Sequence, residues 1–211
     1  MLEVLTPART HDLTVLDTVK EELGIPPDDT SKDNRLRRLI AEASSIIAQA
    51  CKREGFGLTR YRESFRHAPN TSWHRRGVML EEDINVRIES VSVDGVEVDP
   101  AGYAYDGVLL RRICGNASTI LIGPYGWSCR GLDVVYTAGW DTLANVPPAV
   151  ERICIEVVGS LFSAPTGRDA SIRSEQIEGV GTITYGTQAQ AGPTVTLERY
   201  PALNLYVKQV W

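Results

Sequence analysis

The chain has 211 residues, of which 43% are hydrophobic and 23% charged, with a formal net charge of −5. That size allows one domain, or one domain with a large insert, whose core needs no metal or disulfide staple. The acidic balance speaks against wholesale nucleic-acid binding, which leaves a basic footprint. No run of about 18 apolar residues offers a membrane-spanning helix. The opening Met1-Leu2-Glu3-Val4 lacks the basic-then-apolar order of a signal peptide, so synthesis in the cytosol with no membrane partner is expected. Cys51, Cys114, Cys129 and Cys154 form neither a C-x-x-C pair nor a zinc spacing and are expected to be reduced and structural.

Residues 1–12 read as extended, with Pro7 barring a helix. From Leu13 to Gly24 a short helix is expected, with Leu16, Val19 and Leu23 on one face, Thr14 as its cap and Gly24 at a left-handed C-terminal position. Pro26-Pro27-Asp28-Asp29 is a turn. The second helix, about Ser31 to Glu54, carries an apolar stripe at Leu36, Leu39, Ile40, Ala43, Ile46, Ile47, Ala50 and Cys51. Ser31 is expected to cap it and Gly55 to end it. Its polar face bears Arg35, Arg38, Glu42, Gln49 and Lys52.

Leu58 to Arg66 alternates as a half-exposed strand does. A polar loop, His67 to Gly77, holds the basic group Trp73-His74-Arg75-Arg76. Val78-Met79-Leu80 is a short strand ahead of the acidic Glu81-Glu82-Asp83. Val86 to Val93 alternates, and Asp94-Gly95 turns it into Val96-Glu97-Val98, the strongest short hairpin signal in a sequence. The signal recurs at Asp106-Gly107, between Tyr103–Tyr105 and Val108–Leu110. Thr119–Ile122 and Leu132–Thr137 are expected to complete one small antiparallel sheet. The strand that includes Val134–Thr137 ends at Gly139. After Pro147-Pro148 a third helix follows, with Val150, Ile153, Cys154, Val157, Val158 and Leu161 at helical spacing. Beyond it, Gln176–Glu178 and Thr182–Tyr185 are possible strands, and Gln188–Pro193 has linker composition. Leu197–Trp211 is too apolar for a free tail, so it docks on its own core or is kept for a partner.

The expected fold is α+β: a small helical bundle (near 14–23, 33–54 and 148–163) with an inserted antiparallel β-rich region and an extended C-terminal segment. The bundle takes 1–57 and 147–164, the insert 58–146, and the C-terminal extension 165–211.

Catalytic signals are absent from the pattern. His67 and His74, with Glu81, Glu82 or Asp83 as partners, lack tight metal-ligand spacing. Cys129 has no nucleophile signature around it, and Gly179-Val180-Gly181 lacks the third glycine and the strand-then-helix setting of a dinucleotide site. The expectation is a protein that is not an enzyme, with no cofactor, metal or catalytic residue. Basic residues (Lys52, Arg53, Arg60, Arg62, Arg66, Arg75, Arg76) precede a run of acidic ones (Glu81, Glu82, Asp83, Glu89, Asp94, Glu97, Asp99). Such a pattern is either solvated surface or the two sides of a subunit that meets its copies head to tail, a contact that closes into rings when the rotation permits.

The succession of "LTVLDTVKEELGI", "DNRLRRLIAEASSIIAQACKREGF", "VRIESVSVDGVEVDPAGYAYDGVLLR" and "LDVVYTAGWDTLANVPPAVERICIEVVGSLF" resembles the head–tail connector (adaptor) family of tailed bacteriophages and gene transfer agents. The likeness covers about residues 13–163, with a weaker continuation through "RSEQIEGVGTITYG" to "LERYPALNLYV". It implies a structural virion protein at the head–tail interface, made in the host cytoplasm. Such a protein forms an oligomeric ring beneath the portal, expected to be a dodecamer, that extends the DNA channel and gives a platform to the neck and tail. The implied partners are further copies of the chain, the portal protein, a neck stopper or tail-completion protein, and non-specific contact with DNA in the channel. Carried onto this sequence, Tyr200, Leu203, Leu205, Tyr206, Val210 and Trp211 are candidates for portal contact. Arg35, Arg38, Arg60, Arg62, Glu81, Glu82 and Asp83 are candidates for the subunit interface, and Arg66, His74, Arg75 and Arg76 for the channel. Alternatives are a neck stopper or tail-completion protein and, more remotely, a hydrolase or carbohydrate-binding module on the β-insert.

Overall fold

The computed structural model describes residues 1–66, 77–113, 131–141, 143–163, 174–177, 181–184 and 195–208. His67, His74, Arg75, Arg76, Cys114, Cys129, the strand expected at Thr119–Ile122, Val210 and Trp211 lie outside the described residues. The fold is α+β. In chain order it comprises β1 (Leu2–Thr6), α1 (Leu16–Glu22), α2 (Asp33–Ala50), β2 (Thr59–Arg66), β3 (Val78–Met79), β4 (Arg87–Val93) and β5 (Val96–Glu97). There follow β6 (Tyr103–Tyr105), β7 (Leu109–Arg112), β8 (Gly131–Ala138), α3 (Pro148–Ser163), β9 (Ser174–Ile177), β10 (Gly181–Thr184) and a 3₁₀ helix, Pro201–Tyr206.

The helix ends show where local chemistry decides. α1 closes in a Schellman motif: Ile25 N–H reaches Lys20 O at 2.8 Å, Gly24 N–H reaches Glu21 O at 3.1 Å, and Gly24 takes φ +66°. Its start differs from expectation. Thr14 is buried and its hydroxyl donates to Glu151 Oε1 on α3 at 3.2 Å, so it ties two helices together and does not cap one. Ser31 likewise does not cap α2, because its hydroxyl and N–H turn back to Asp29 Oδ1 at 2.5 and 3.0 Å. α2 also ends earlier than Gly55. Lys52 adopts φ +57°, Lys52 N–H reaches Gln49 O and Arg53 N–H reaches Ala48 O, each at 2.9 Å, so a second Schellman motif closes on a non-glycine residue. Gly55 serves another purpose: a Cβ there would fall 2.1 Å from His11 Nδ1.

Two cores result. The first is helical: Leu36, Ile40, Ala43, Ile47 and Cys51 of the α2 region meet Val150, Cys154, Val157 and Val158 of α3. Leu39 and Ile46 flank that stripe, half-buried. Cys51 and Cys154 are buried free thiols, as their apolar positions implied.

The second core is a pair of stacked sheets. The larger is wholly antiparallel, in the order β1-β2-β8-β4-β5, and the smaller is β3-β7-β6. One sheet was expected. The apolar residues of the short strands, Val78 and Leu110, instead pack against Val91, Val134 and Tyr136 of the larger sheet. The N-terminal strand β1 joins as an edge, with Leu2 opposite Glu63 and Val4 opposite Tyr61. β8 is central and alternates from Leu132 onward, with Leu132, Val134, Tyr136 and Ala138 on its buried face. Both aspartate-glycine turns make hairpins. Asp94 (φ +51°) and Gly95 (φ +84°) give the two-residue form, with Val93 opposite Val96. β9 and β10 also pair antiparallel.

The two halves are stitched at Gly139. Its backbone at φ +110° passes so close to Gly57 that a Cβ would lie 2.5 Å from Gly57 O. Flanking hydrogen bonds run from Trp140 N–H to Phe56 O at 2.8 Å and from Leu58 N–H to Trp140 O at 2.9 Å.

Candidate interaction surfaces

The C-terminal segment 195–208 docks on the chain's own core. Leu203 is fully buried, its carbonyl accepting from Cys51 Sγ at 3.8 Å. The Tyr206 ring meets Trp140 edge-on at 5.6 Å, and Trp140 stacks on Phe56 at 4.9 Å. Lys208 N–H reaches Cys51 O at 2.9 Å.

A charged hub locks this arrangement. The Arg53 side chain is 2% exposed; its Nε donates to Tyr206 O at 2.6 Å, Nη1 to Glu82 Oε2 at 2.8 Å, and Nη2 to Asp83 Oδ1. Lys208 Nζ reaches Glu82 Oε1 at 2.7 Å and Glu81 Oε1 at 3.1 Å. Burial alone would lower the Lys208 ammonium, but the Glu82 and Glu81 carboxylates outweigh it and hold it above the usual lysine value. The acidic trio Glu81, Glu82 and Asp83, read in the sequence as subunit-interface candidates, is thus engaged within the chain. Arg53 had been grouped with the surface cations.

The portal-contact candidates divide. Leu203 and Tyr206 point into the core, whereas Leu205 is 84% exposed. Tyr200 is half-exposed under the Arg199 guanidinium, which lies 5.2 Å from its ring and 3.4 Å from Glu156.

The outer face of the larger sheet is laced with cross-strand ion pairs: Arg60–Glu89 at 2.7 Å, Arg62–Glu3 at 3.5 Å and Arg66–Asp133 at 3.1 Å. Exposed pairs of this kind add little stability, but they offset one another's charge. Arg66, a channel candidate, therefore presents no unbalanced positive field. On α2, Arg35 donates to Phe162 O at 3.0 Å with its guanidinium 4.7 Å from that ring, and Arg38 Nε reaches Asn34 O at 3.3 Å.

Glu63 was missed in the sequence. It occupies an inward position of β2, buried, and its Oε2 accepts from Tyr136 Oη at 3.0 Å and from Glu81 N–H at 2.9 Å. Burial raises its pKa above the usual carboxylate value, against the pull of those two hydrogen bonds. The signal was present in the period of β2, since Thr59, Tyr61, Glu63 and Phe65 share the inward face.

Two adjoining open clefts lie beside the Gly139 stitch. One, about 350 Å³, is walled by Phe56, Trp140 and Val146 with Arg9, Asp12 and Asp141 at its rim. The other, about 450 Å³, is lined by Asn85, Arg87, Thr137 and Asn145. Among the described residues no cluster of three or more His, Cys, Asp or Glu side chains is arranged to hold a metal ion. No helix among them is long and apolar enough to cross a membrane.

No protein family matches the chain, and no curated protein does. Among solved structures, it is similar to a chain of the virion of a native gene transfer agent particle, with a TM-score of 0.45 and 15% identity over 80% of this chain and 88% of that one. A likeness of that size carries no functional argument.

Proposed function

We propose that this chain is a head–tail connector (adaptor) subunit of a phage-like particle, one that assembles as a ring beneath the portal, extends the DNA channel and presents a platform to the neck and tail. The reading rests on the order of its parts: two helices, a β-rich half, a third helix packed on the second, and a C-terminal strap. The observation that carries it is the strap itself, anchored by Leu203, Tyr206 and Lys208 while Leu205 stands in solvent. A segment held this firmly yet displaying a large apolar side chain suits a contact with a second protein. Leu205 and the half-exposed Tyr200 are the strap residues proposed to face the portal. The sheet's outer face, neutralised by its own ion pairs, suits a lining past which DNA moves without being held.

The test is to mix the purified protein with the portal ring encoded near it and image the mixture by electron microscopy. A collar of repeated density on the portal's narrow end is expected, and its rotational order gives the copy number. A bare portal, with both proteins shown to be folded, would overturn the reading in favour of a neck stopper or an unrelated binding role. Truncation at Pro193 removes the strap together with its core anchors Leu203 and Tyr206, so it is read only in a chain shown still to fold: portal binding that survives it unchanged would sink the strap contact.

A further inference from the structure

The loop that receives the C-terminal strap is held from two sides. Between β3 and β4 the chain passes through Glu81, Glu82 and Asp83 outside any helix or strand. Their carboxylates take the strap. Lys208 Nζ lies 2.7 Å from Glu82 Oε1 and 3.1 Å from Glu81 Oε1, and the Arg53 guanidinium bridges Glu82, Asp83 and Tyr206 O. Their backbone, by contrast, hangs on the core of the larger sheet. Glu81 N–H donates to Glu63 Oε2 at 2.9 Å, and Glu82 N–H points to Tyr136 Oη at 3.4 Å. Tyr136 Oη in turn donates to the same Glu63 oxygen at 3.0 Å. One buried carboxylate oxygen thus fixes where both loop N–H groups sit.

Glu63 is an expensive choice for its place. It is buried on the inward face of β2, where an apolar side chain would pack without the cost of removing a carboxylate from water. The hydrogen bonds it accepts lead to the loop and to the tyrosine that also faces the loop. Neither Glu63 nor Tyr136 hydrogen-bonds to the strap itself. Any influence they have on the strap must pass through residues 81–83.

We propose that Glu63 is a positioning residue for the strap: by holding the backbone of Glu81 it aims Glu82 and Asp83 at Arg53 and Lys208, so that docking of residues 195–208 depends on a group in the sheet core. The strap is then a conditional latch. A movement of β2 or β8 that shifts Glu63 or Tyr136 loosens it, and by linkage whatever draws the strap away relaxes the loop's hold on Glu63. The device requires only the docked strap and is independent of what the strap meets, so the portal experiment neither supports nor removes it.

Two native thiols supply the readout. Cys51 is buried against the strap, its Sγ donating to Leu203 O, whereas Cys154 is buried in the helical core beside Ser44 Oγ. Labelling of the folded full chain by N-ethylmaleimide, resolved by peptide mass spectrometry, follows strap opening at Cys51 and opening of the helical core at Cys154. Hydrogen exchange at the Lys208 amide, which donates to Cys51 O, is a second measure of the strap. Glu63→Leu removes the acceptor of Glu81 N–H and is expected to speed Cys51 labelling and Lys208 exchange about tenfold or more, with Cys154 unchanged. Glu63→Gln keeps an acceptor oxygen and is expected to restore the wild-type rates. In a Lys208→Met background, Glu63→Leu should speed opening less than it does in the wild type, because both act on one contact. Cys51 and Cys154 rates that rise together, or effects of the two substitutions that simply multiply, would make Glu63 a residue of general stability and overturn the coupling. Where Glu63→Leu unfolds the chain, Tyr136→Phe decides by the same comparison, since it takes away only the hydroxyl; a Cys51 rate unchanged by it would overturn the proposal.

Discussion

Arg53 Nε donates to the carbonyl oxygen of Tyr206 at 2.6 Å across 153 positions of the chain, and through this bond the end of α2 holds the C-terminal strap. The same guanidinium faces Glu82 and Asp83, so one buried side chain joins three segments. Replacing Arg53 with Met keeps much of the volume but leaves the Tyr206 carbonyl without its donor and the Glu82 carboxylate with Lys208 as its remaining cation. Losing charge-assisted hydrogen bonds in such a partly buried site costs about 1–3 kcal/mol. The expected outcome is a lowered denaturation midpoint together with protease cleavage around residues 195–208. Arg53→Lys should rescue little, because an ammonium cannot present the planar fork that reaches three acceptors at once. Full rescue by lysine would show the hub to be a simple charge contact.

Glu63 gives a pH dependence with a definite sign. Its folded pKa is raised by burial above the unfolded value, so between those two values the native state binds more protons than the unfolded chain. The contribution of this group therefore favours the fold on the acidic side of the window. It is lost as pH rises through the raised value. Glu63→Gln keeps an oxygen that can accept from Tyr136 and Glu81, and it removes the charge. Its stability at neutral pH is expected to equal or exceed that of the wild type, with a flatter profile on the acidic side. Urea midpoints measured from pH 4 to 8 check this, and a variant that loses stability across the whole range would show that the ionised carboxylate is what the site requires.

What could be read in the sequence was local. The aspartate-glycine hairpins, the third helix and the apolar stripe of α2 each follow from a few neighbouring residues, and they lie where the pattern put them. Helix ends fared less well, because a capping serine and a capping glycine compete with other partners: Ser31 was claimed by Asp29, and Lys52 closed α2 before Gly55 was reached. The sheet count was missed for a different reason. Strand pattern tells which face is apolar but not whether a short strand extends a sheet or stacks upon it. The Arg53 hub could not be found at all by local reading, since its acceptors come from segments far apart in sequence. A cation next to a helix end looks like surface until those segments are brought together.

Lys52 is itself open to improvement. It holds a left-handed conformation that side chains other than glycine adopt at a cost, and it is exposed. Lys52→Gly is expected to raise stability by up to about 1 kcal/mol, since the Schellman hydrogen bonds at Gln49 and Ala48 remain and the Cβ strain is relieved. Thermal unfolding measures the gain. A loss instead would mean that the lysine side chain supports the fold in a way its exposed position does not reveal.

Leu203 and Leu205 separate the strap's two tasks within a single turn of 3₁₀ helix. Leu203 is fully buried, so Leu203→Ala should cost about 2–5 kcal/mol through lost contacts and the cavity left behind. Leu205 is 84% exposed, so Leu205→Asp should change stability by no more than about 0.5 kcal/mol. If the strap meets the portal, the second substitution should nonetheless abolish the collar while the protein melts at its wild-type temperature. The first should weaken both together, because an undocked strap cannot present its outward side chain. Equal portal occupancy for Leu205→Asp and wild type would remove Leu205 from the contact and leave the strap as a purely internal brace.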